Sequence, residues 1–164
     1  MFGLLRTTIL SLALAFGAGA ALAQDFQKGF AAYTEGDYAT ALKEWRPLAE
    51  QGNVTSQYNI AVMYDKGKGV LQDYAEAVKW YRLSAEQGYA KAQYNIGQMY
   101  RRGEGVLQDN VRAHMWYNIA AANGAEKAGE WREKRAGLMT SADISKAQSM
   151  ARECMSSNYK NCGW

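Results

Sequence analysis

The side chains that most often carry enzyme chemistry are scarce in this sequence of 164 residues. His114 is the only histidine, and the cysteines are Cys154 and Cys162. A metal centre usually needs several nitrogen or thiolate ligands, and a catalytic nucleophile needs a base held against it. We therefore predict no catalytic residues, no metal site and no cofactor. We interpret His114 as a half-buried side chain packed between helices.

The cysteine pair is the other candidate for chemistry. Cys154 and Cys162 are close together near the C-terminus, and an even count at close spacing indicates a disulfide in an exported protein. The bond would close a short loop and hold residues 156–163 against the last helix. Two free thiols or a redox pair are the alternatives, although the Cys-x-x-Cys spacing of redox centres is missing.

Two Gly-x-Gly pairs, Gly67/Gly69 and Gly103/Gly105, have the composition of a phosphate-binding loop. They lack the Lys-Ser/Thr that completes a P-loop, and no strand precedes them as a dinucleotide site would require. We interpret both pairs as connectors between helices.

These connectors belong to a repeat, since residues 54–89 and 90–125 are two copies of one 36-residue unit with 17 identical positions and no gap. Gln57-Tyr58-Asn59-Ile60 recurs as Gln93-Tyr94-Asn95-Ile96. Self-similarity at a fixed period of this length predicts a solenoid of stacked units.

The elements that must position these residues are helices, because apolar side chains recur at a period of 3.6 within each half of a unit. Aspartates precede the second apolar stripe, as N-caps do, and glycines follow both stripes, as C-caps do. The predicted helix ends are Gly67, Asp73, Gly88, Gly103, Asp109 and Gly124.

We predict an all-α fold, an α-solenoid of about four antiparallel helix hairpins with a C-terminal capping helix. The last unit would contain a helix over residues 126–139 and the capping helix over residues 141–156, whose outer face is polar. The predicted organisation is a repeat domain over residues 24–156, with units at 25–53, 54–89, 90–125 and 126–156, and a tail at 157–164.

The N-terminus has the pattern of a secretory signal peptide. One basic residue, Arg6, precedes an apolar run that ends in Ala21-Leu22-Ala23, a small-x-small cleavage site. We expect cleavage after Ala23 and a periplasmic or secreted protein with no membrane span after cleavage. An uncleaved anchor is the alternative, but the apolar run is short for a span of about 20 residues.

The charge balance gives no reason to expect a nucleic-acid partner. The formal net charge is only +3, without the strongly basic surface that phosphate backbones require.

The repeated units resemble the Sel1-like repeat family, a subgroup of the tetratricopeptide-type α-solenoids. The pattern A-x-A-Q-Y-N-I-G-x-M-Y-x-x-G-x-G-V-x-x-D-x-x-x-A-x-x-W-Y is met from Ala90 through Tyr117, and residues 54–81 follow it with small departures. The first unit looks more like a plain tetratricopeptide hairpin, G-D-Y-x-x-A-L. The resemblance implies a helical binding scaffold, since such families share no common reaction.

In arrays of this kind the first helix of each pair lines a concave groove. Amides there can clamp a peptide backbone, tyrosines offer flat apolar area, and basic side chains favour an acidic segment. The alternative is a solvated polar face. The groove positions that the resemblance implies are Thr55, Tyr58, Asn59, Val62, Asp65, Lys66, Lys91, Tyr94, Asn95, Gln98, Arg101 and Arg102.

The leading hypothesis is a non-catalytic scaffold that binds a peptide segment of another protein, such as an envelope sensor or assembly. A second hypothesis is a β-lactam-binding or hydrolysing enzyme, as in cysteine-rich relatives, but those carry a cysteine pair in each unit and residues 26–125 contain none. A third is structural self-association. The polar last helix argues against open stacking, and we expect a monomer.

Overall fold

The computed structural model describes residues 25–164, so the predicted signal peptide at residues 1–23 lies outside the described residues. Over that range the chain forms eight helices and no strand, which confirms the predicted all-α class. The helices are α1, residues 25–35; α2, Tyr38–Glu50; α3, Val54–Lys66; α4, Tyr74–Ala85; α5, Ala90–Arg102; α6, Asn110–Ala122; α7, Ala128–Ala136; and α8, Ser141–Ser156.

The helices pack in the order in which they occur in the chain. From α2 to α7 each helix contacts the next one, and α8 returns to pack against α6. Contacts made mainly between neighbours in sequence are typical of an α-solenoid, as predicted. None of the helices in the described range has the length and apolar character that a membrane crossing requires.

The two connectors have the same length because the helices on either side of them end and begin at equivalent residues. Asp73 and Asp109 each cap a helix by accepting a hydrogen bond of 2.9 Å from a backbone N–H three residues later. Gly67 and Gly103 adopt the left-handed conformation at the C-caps of α3 and α5. These predicted helix ends are confirmed.

Four other helix ends differ from the prediction by a few residues. The helices α4 and α6 end at Ala85 and Ala122, because the chain leaves each helix through tight turn hydrogen bonds such as Gly88 N–H to Ala85 C=O. Gly88 and Gly124 follow in the predicted left-handed conformation, with φ of 83° and 91°. The helix predicted over residues 126–139 is shorter, at Ala128–Ala136, because similar turn bonds flank it on both sides.

Buried glutamines join consecutive hairpins. Gln57 and Gln93 occupy the same position in the two repeats, and each donates its side-chain N–H to a carbonyl at the end of the preceding helix, at 3.0 and 3.1 Å. Both side chains are buried, where an amide without a partner would be costly. The glutamine therefore fixes the spacing of α3 on α2 and of α5 on α4.

The core consists mainly of aromatic and small side chains. One buried cluster centres on Trp45 and Ile60, and a larger one on Tyr81, Trp116 and Tyr117. Such large side chains contribute most of the apolar area that neighbouring hairpins remove from water.

The C-terminal tail folds back onto the solenoid. Cys154 and Cys162 form a disulfide, so the predicted pairing is present and the thiol alternatives do not apply. The predicted capping helix Ser141–Ser156 is also present, and Thr140 caps it by accepting the Asp143 N–H.

Candidate functional site

A cavity of about 280 Å³ opens between the first helices of successive hairpins, α3, α5 and α7. These three helices run side by side, so residues at equivalent positions approach one another from successive hairpins. The lining residues are Tyr58, Val62, Asp65, Lys66, Tyr81, Tyr94, Asn95, Gln98, Met99, Arg102, Glu104 and Trp131.

The structure brings most of the predicted groove residues together in this cavity. The predicted residues that line it are Tyr58, Val62, Asp65, Lys66, Tyr94, Asn95, Gln98 and Arg102. Asn59 and Lys91 line other hollows, and Thr55 and Arg101 do not line the cavity. The set therefore spreads over a wider face than one pocket.

Arg101 does not line the cavity, but it contacts side chains that do. Its Nε donates to Gln98 Oε1 at 2.9 Å, and Gln98 Nε2 in turn donates to the Tyr94 hydroxyl at 2.8 Å. The Arg101 guanidinium also lies 4.7 Å from the centroid of the Trp131 ring, within cation–π range. This chain of contacts fixes the orientation of Gln98 and Trp131 at the cavity wall.

The basic residues of the cavity do not form an unbalanced positive patch. Lys66 pairs with Asp65 at 3.0 Å, and Arg102 pairs with Glu104 at 3.2 Å. Both pairs are partly exposed, so each carboxylate screens the neighbouring cation while leaving hydrogen-bonding capacity on both groups. The cavity therefore presents both charges at its rim.

Tyr58 at the cavity and Tyr117 behind it are held as neutral hydrogen-bonding groups. Burial raises the pKa of Tyr58, which lies against Tyr81 and Tyr89 with ring centroids 5.8 and 5.1 Å away, and a contact with the Asn95 amide opposes that shift. Behind Tyr94, burial raises the pKa of Tyr117 to about 12. A packed, neutral phenol offers donor and acceptor capacity at little entropic cost.

Sequence reasoning missed Tyr81, Met99, Glu104 and Trp131 as lining residues. Trp131 could have been found, because it follows Asn95 by one repeat length and so occupies the groove position of the next first helix. Tyr81 and Met99 reach the cavity from the packed side of the hairpins, which the alignment of groove positions does not show.

His114 is more buried than predicted, with 2% of its surface exposed and no hydrogen-bond partner at Nδ1 within residues 25–164. It lies on α6, away from the cavity. In the same range no group of three or more histidine, cysteine or acidic side chains could hold a metal ion.

Comparison with known proteins places these features in a family. The Sel1 repeat family model matches residues 54–89 and 90–124. The crystal structure of a Sel1 repeat protein from Oxalobacter formigenes is 32% identical, with a TM-score of 0.64, over 76% of this chain and 97% of that one. The chain belongs to the Sel1 repeat family.

A second solved structure extends the similarity in fold. A protective antigen present in uropathogenic Escherichia coli strains, which displays an SLR fold, has a TM-score of 0.78 and 25% identity over 84% of this chain. The chain spans only 31% of that antigen's length. No curated protein matches the chain in sequence. Sel1 repeat proteins generally mediate protein–protein interaction, and their fold is typically a non-catalytic scaffold.

Proposed function

We propose that this Sel1 repeat protein is a non-catalytic scaffold that binds a peptide segment of another protein along the face formed by α3, α5 and α7. The observation that carries the proposal is the cavity in which Tyr58, Asn95 and Trp131 converge from three successive hairpins. A peptide laid across these helices would contact a side chain from each of the three hairpins.

The lining chemistry supports a peptide over a small metabolite. An amide such as Asn95 can donate to and accept from a peptide backbone at once, and aromatic rings with fixed geometry give contact area at low entropic cost. The paired charges at the rim, Lys66 with Asp65 and Arg102 with Glu104, can reorganise to accept groups of either sign. The partner segment is therefore polar with mixed charge, and an exclusively acidic segment is less well matched.

The site of action that we infer is the periplasm or the cell exterior. The pattern of Met1–Ala23 supports export, and the disulfide between Cys154 and Cys162 is of the kind that persists in oxidising compartments. The exposed face of α8 is polar, with Ser145, Lys146 and Ser149 outward, which supports a monomer.

A pull-down from an envelope extract tests the proposal. Asn95→Ala removes an amide from the cavity, whereas Asn161→Ala removes the same group from an exposed position in the tail. We expect a partner that the wild type and Asn161→Ala retain and that Asn95→Ala loses, with affinity reduced roughly tenfold or more. Equal retention of every partner by both variants contradicts the groove assignment.

A further inference from the structure

A second cavity lies beside the first on the same face. It has a volume of about 240 Å³, and it shares Tyr58 and Val62 with the larger cavity as a common wall. A single extended peptide could therefore pass from one cavity to the other without leaving the surface. Its lining residues are Phe30, Tyr33, Trp45, Tyr58, Asn59 and Val62.

The chemistry of this second cavity differs from that of the first, because aromatic rings dominate it and no charged side chain lines it. Phe30 is 50% exposed, so about half of this large apolar side chain is in contact with water at the edge of the cavity. Trp45 below it is 1% exposed, and its Nε1 donates to the Phe26 carbonyl at 3.2 Å. The cavity thus has a fixed apolar floor and an exposed apolar rim.

An aromatic cavity could in principle bind a cation through the faces of its rings. Here the chain already supplies one, because the Lys68 ammonium lies 4.8 Å from the Tyr33 ring centroid and donates to the Tyr33 hydroxyl at 3.0 Å. A second cation would meet repulsion from Lys68 without a lining carboxylate to offset it. A neutral apolar group meets no such repulsion and removes the exposed ring of Phe30 from water.

The size of the cavity indicates how much of a ligand enters it. Small-molecule sites usually range from roughly 300 to 1,000 Å³, so a cavity of about 240 Å³ fits one side chain better than a whole metabolite. Asn59 lies at its edge, and no hydrogen bond occupies the Asn59 side chain in the part of the chain that the structure describes. That amide is free to hold the backbone of the residue whose side chain enters.

We propose that the aromatic cavity is a specificity pocket that takes one neutral apolar side chain of the bound peptide, while the larger cavity takes the polar residues that follow or precede it. This inference rests on the proposed function, since both cavities would be filled by the same segment. It adds a sequence requirement: because the two cavities share a wall, the partner must carry an apolar residue next to a polar stretch.

Selection from a displayed library of short random peptides on the immobilised protein tests the requirement. We expect the wild type to enrich peptides that share one apolar position. Phe30→Ser should bind those peptides roughly tenfold or more weakly, the loss expected when a central contact is removed. Leu71→Ser is the matched control, because Leu71 is 92% exposed and lines neither cavity, and its affinity should equal that of the wild type.

A second variant distinguishes the apolar ligand from a cationic one. Asn59→Asp places a carboxylate at the edge of the cavity, which weakens binding of an apolar side chain and strengthens binding of a cation. Circular dichroism verifies that both variants remain folded. Stronger binding by Asn59→Asp, or a shared lysine or arginine in place of the apolar position among the enriched peptides, overturns the inference.

The remaining outcomes separate the two proposals. One outcome is that peptides lose affinity for Asn95→Ala and yet bind Phe30→Ser with the same affinity as the wild type. In that case the specificity pocket is wrong, but the result still supports peptide binding in the groove. If the wild type enriches no peptide, both proposals are wrong.

Discussion

The indole of Trp164 packs against the indole of Trp116, with ring centroids 4.7 Å apart and the ring planes tilted by 34°. The Arg82 guanidinium lies 4.5 Å from the centroid of the Trp164 ring, and Arg112 Nε donates to the Gly163 carbonyl at 3.2 Å. Arg82 belongs to the repeat at residues 54–89, whereas Arg112 and Trp116 belong to the next one. The tail therefore ties two Sel1 repeats together, and the Cys154–Cys162 disulfide holds the tail in place.

The first prediction concerns this disulfide. Replacing both Cys154 and Cys162 by alanine should lower the free energy of unfolding by roughly 2–3 kcal/mol, because the bond removes loop entropy from the unfolded chain. Urea denaturation measures the change, and wild type under reducing conditions should unfold at nearly the same midpoint as the variant. An unchanged midpoint would show that the disulfide contributes no stability.

The second prediction concerns the connector glycine Gly105, which has φ of 70° and lies directly against the Tyr74 carbonyl oxygen. Gly36 has φ of 86° but has no other atom within 4 Å of the position of an added methyl group. Gly36→Ala should lose about 1–2 kcal/mol through backbone strain alone. Gly105→Ala should lose clearly more, because the methyl also displaces the backbone of α4. Equal losses in urea denaturation would contradict this close approach.

The helical repeats could be predicted because their signals are local and occur twice. The caps Asp73 and Asp109 depend only on an aspartate three residues before a free backbone N–H, and the second copy supports the interpretation of the first. The fold class followed from the repeat itself.

The candidate site was only partly predictable, because cavity walls come from residues far apart in the sequence. The ion pair of Arg102 with Glu104 depends on side-chain geometry that the residue pattern does not determine. Phe30 was missed because the first unit has a shorter connector, so the register of the later repeats does not carry over to α1.

The third prediction concerns pH. Burial lowers the pKa of His114 below its ordinary value of 6.5, and the nearby Arg132 lowers it further, while Glu133 opposes the shift. Below pH 6.5 the unfolded chain takes up a proton that the folded chain refuses, so this contribution to stability is present above 6.5 and is lost as the pH falls towards the folded pKa.

Urea denaturation from about pH 7.5 down to about pH 5.5 measures this dependence. His114→Gln should remove this component, so its free energy of unfolding should fall less over that range than the wild type's. The same dependence of the free energy of unfolding on pH in both proteins would show that the pKa of His114 does not differ between the folded and unfolded chains.

The fourth prediction concerns catalysis. The purified protein should hydrolyse a chromogenic β-lactam no faster than buffer does. In residues 25–164 the cysteines are joined in a disulfide, and His114 is buried with no partner at Nδ1, so neither cysteine is a free nucleophile and His114 is not placed to activate one. A rate proportional to protein concentration that persists through repurification would revive the enzymatic hypothesis. A β-lactamase in the same assay is the positive control.

The most direct test of the account is site-specific crosslinking in living cells from a photoreactive side chain at position 94, compared with position 107. Tyr94 lines the cavity, whereas Leu107 is 90% exposed on a connector outside it. The account predicts a protein adduct from position 94 that position 107 does not give and that Asn95→Ala diminishes. The same adducts from both positions, or no adduct from position 94, would contradict peptide binding in the groove.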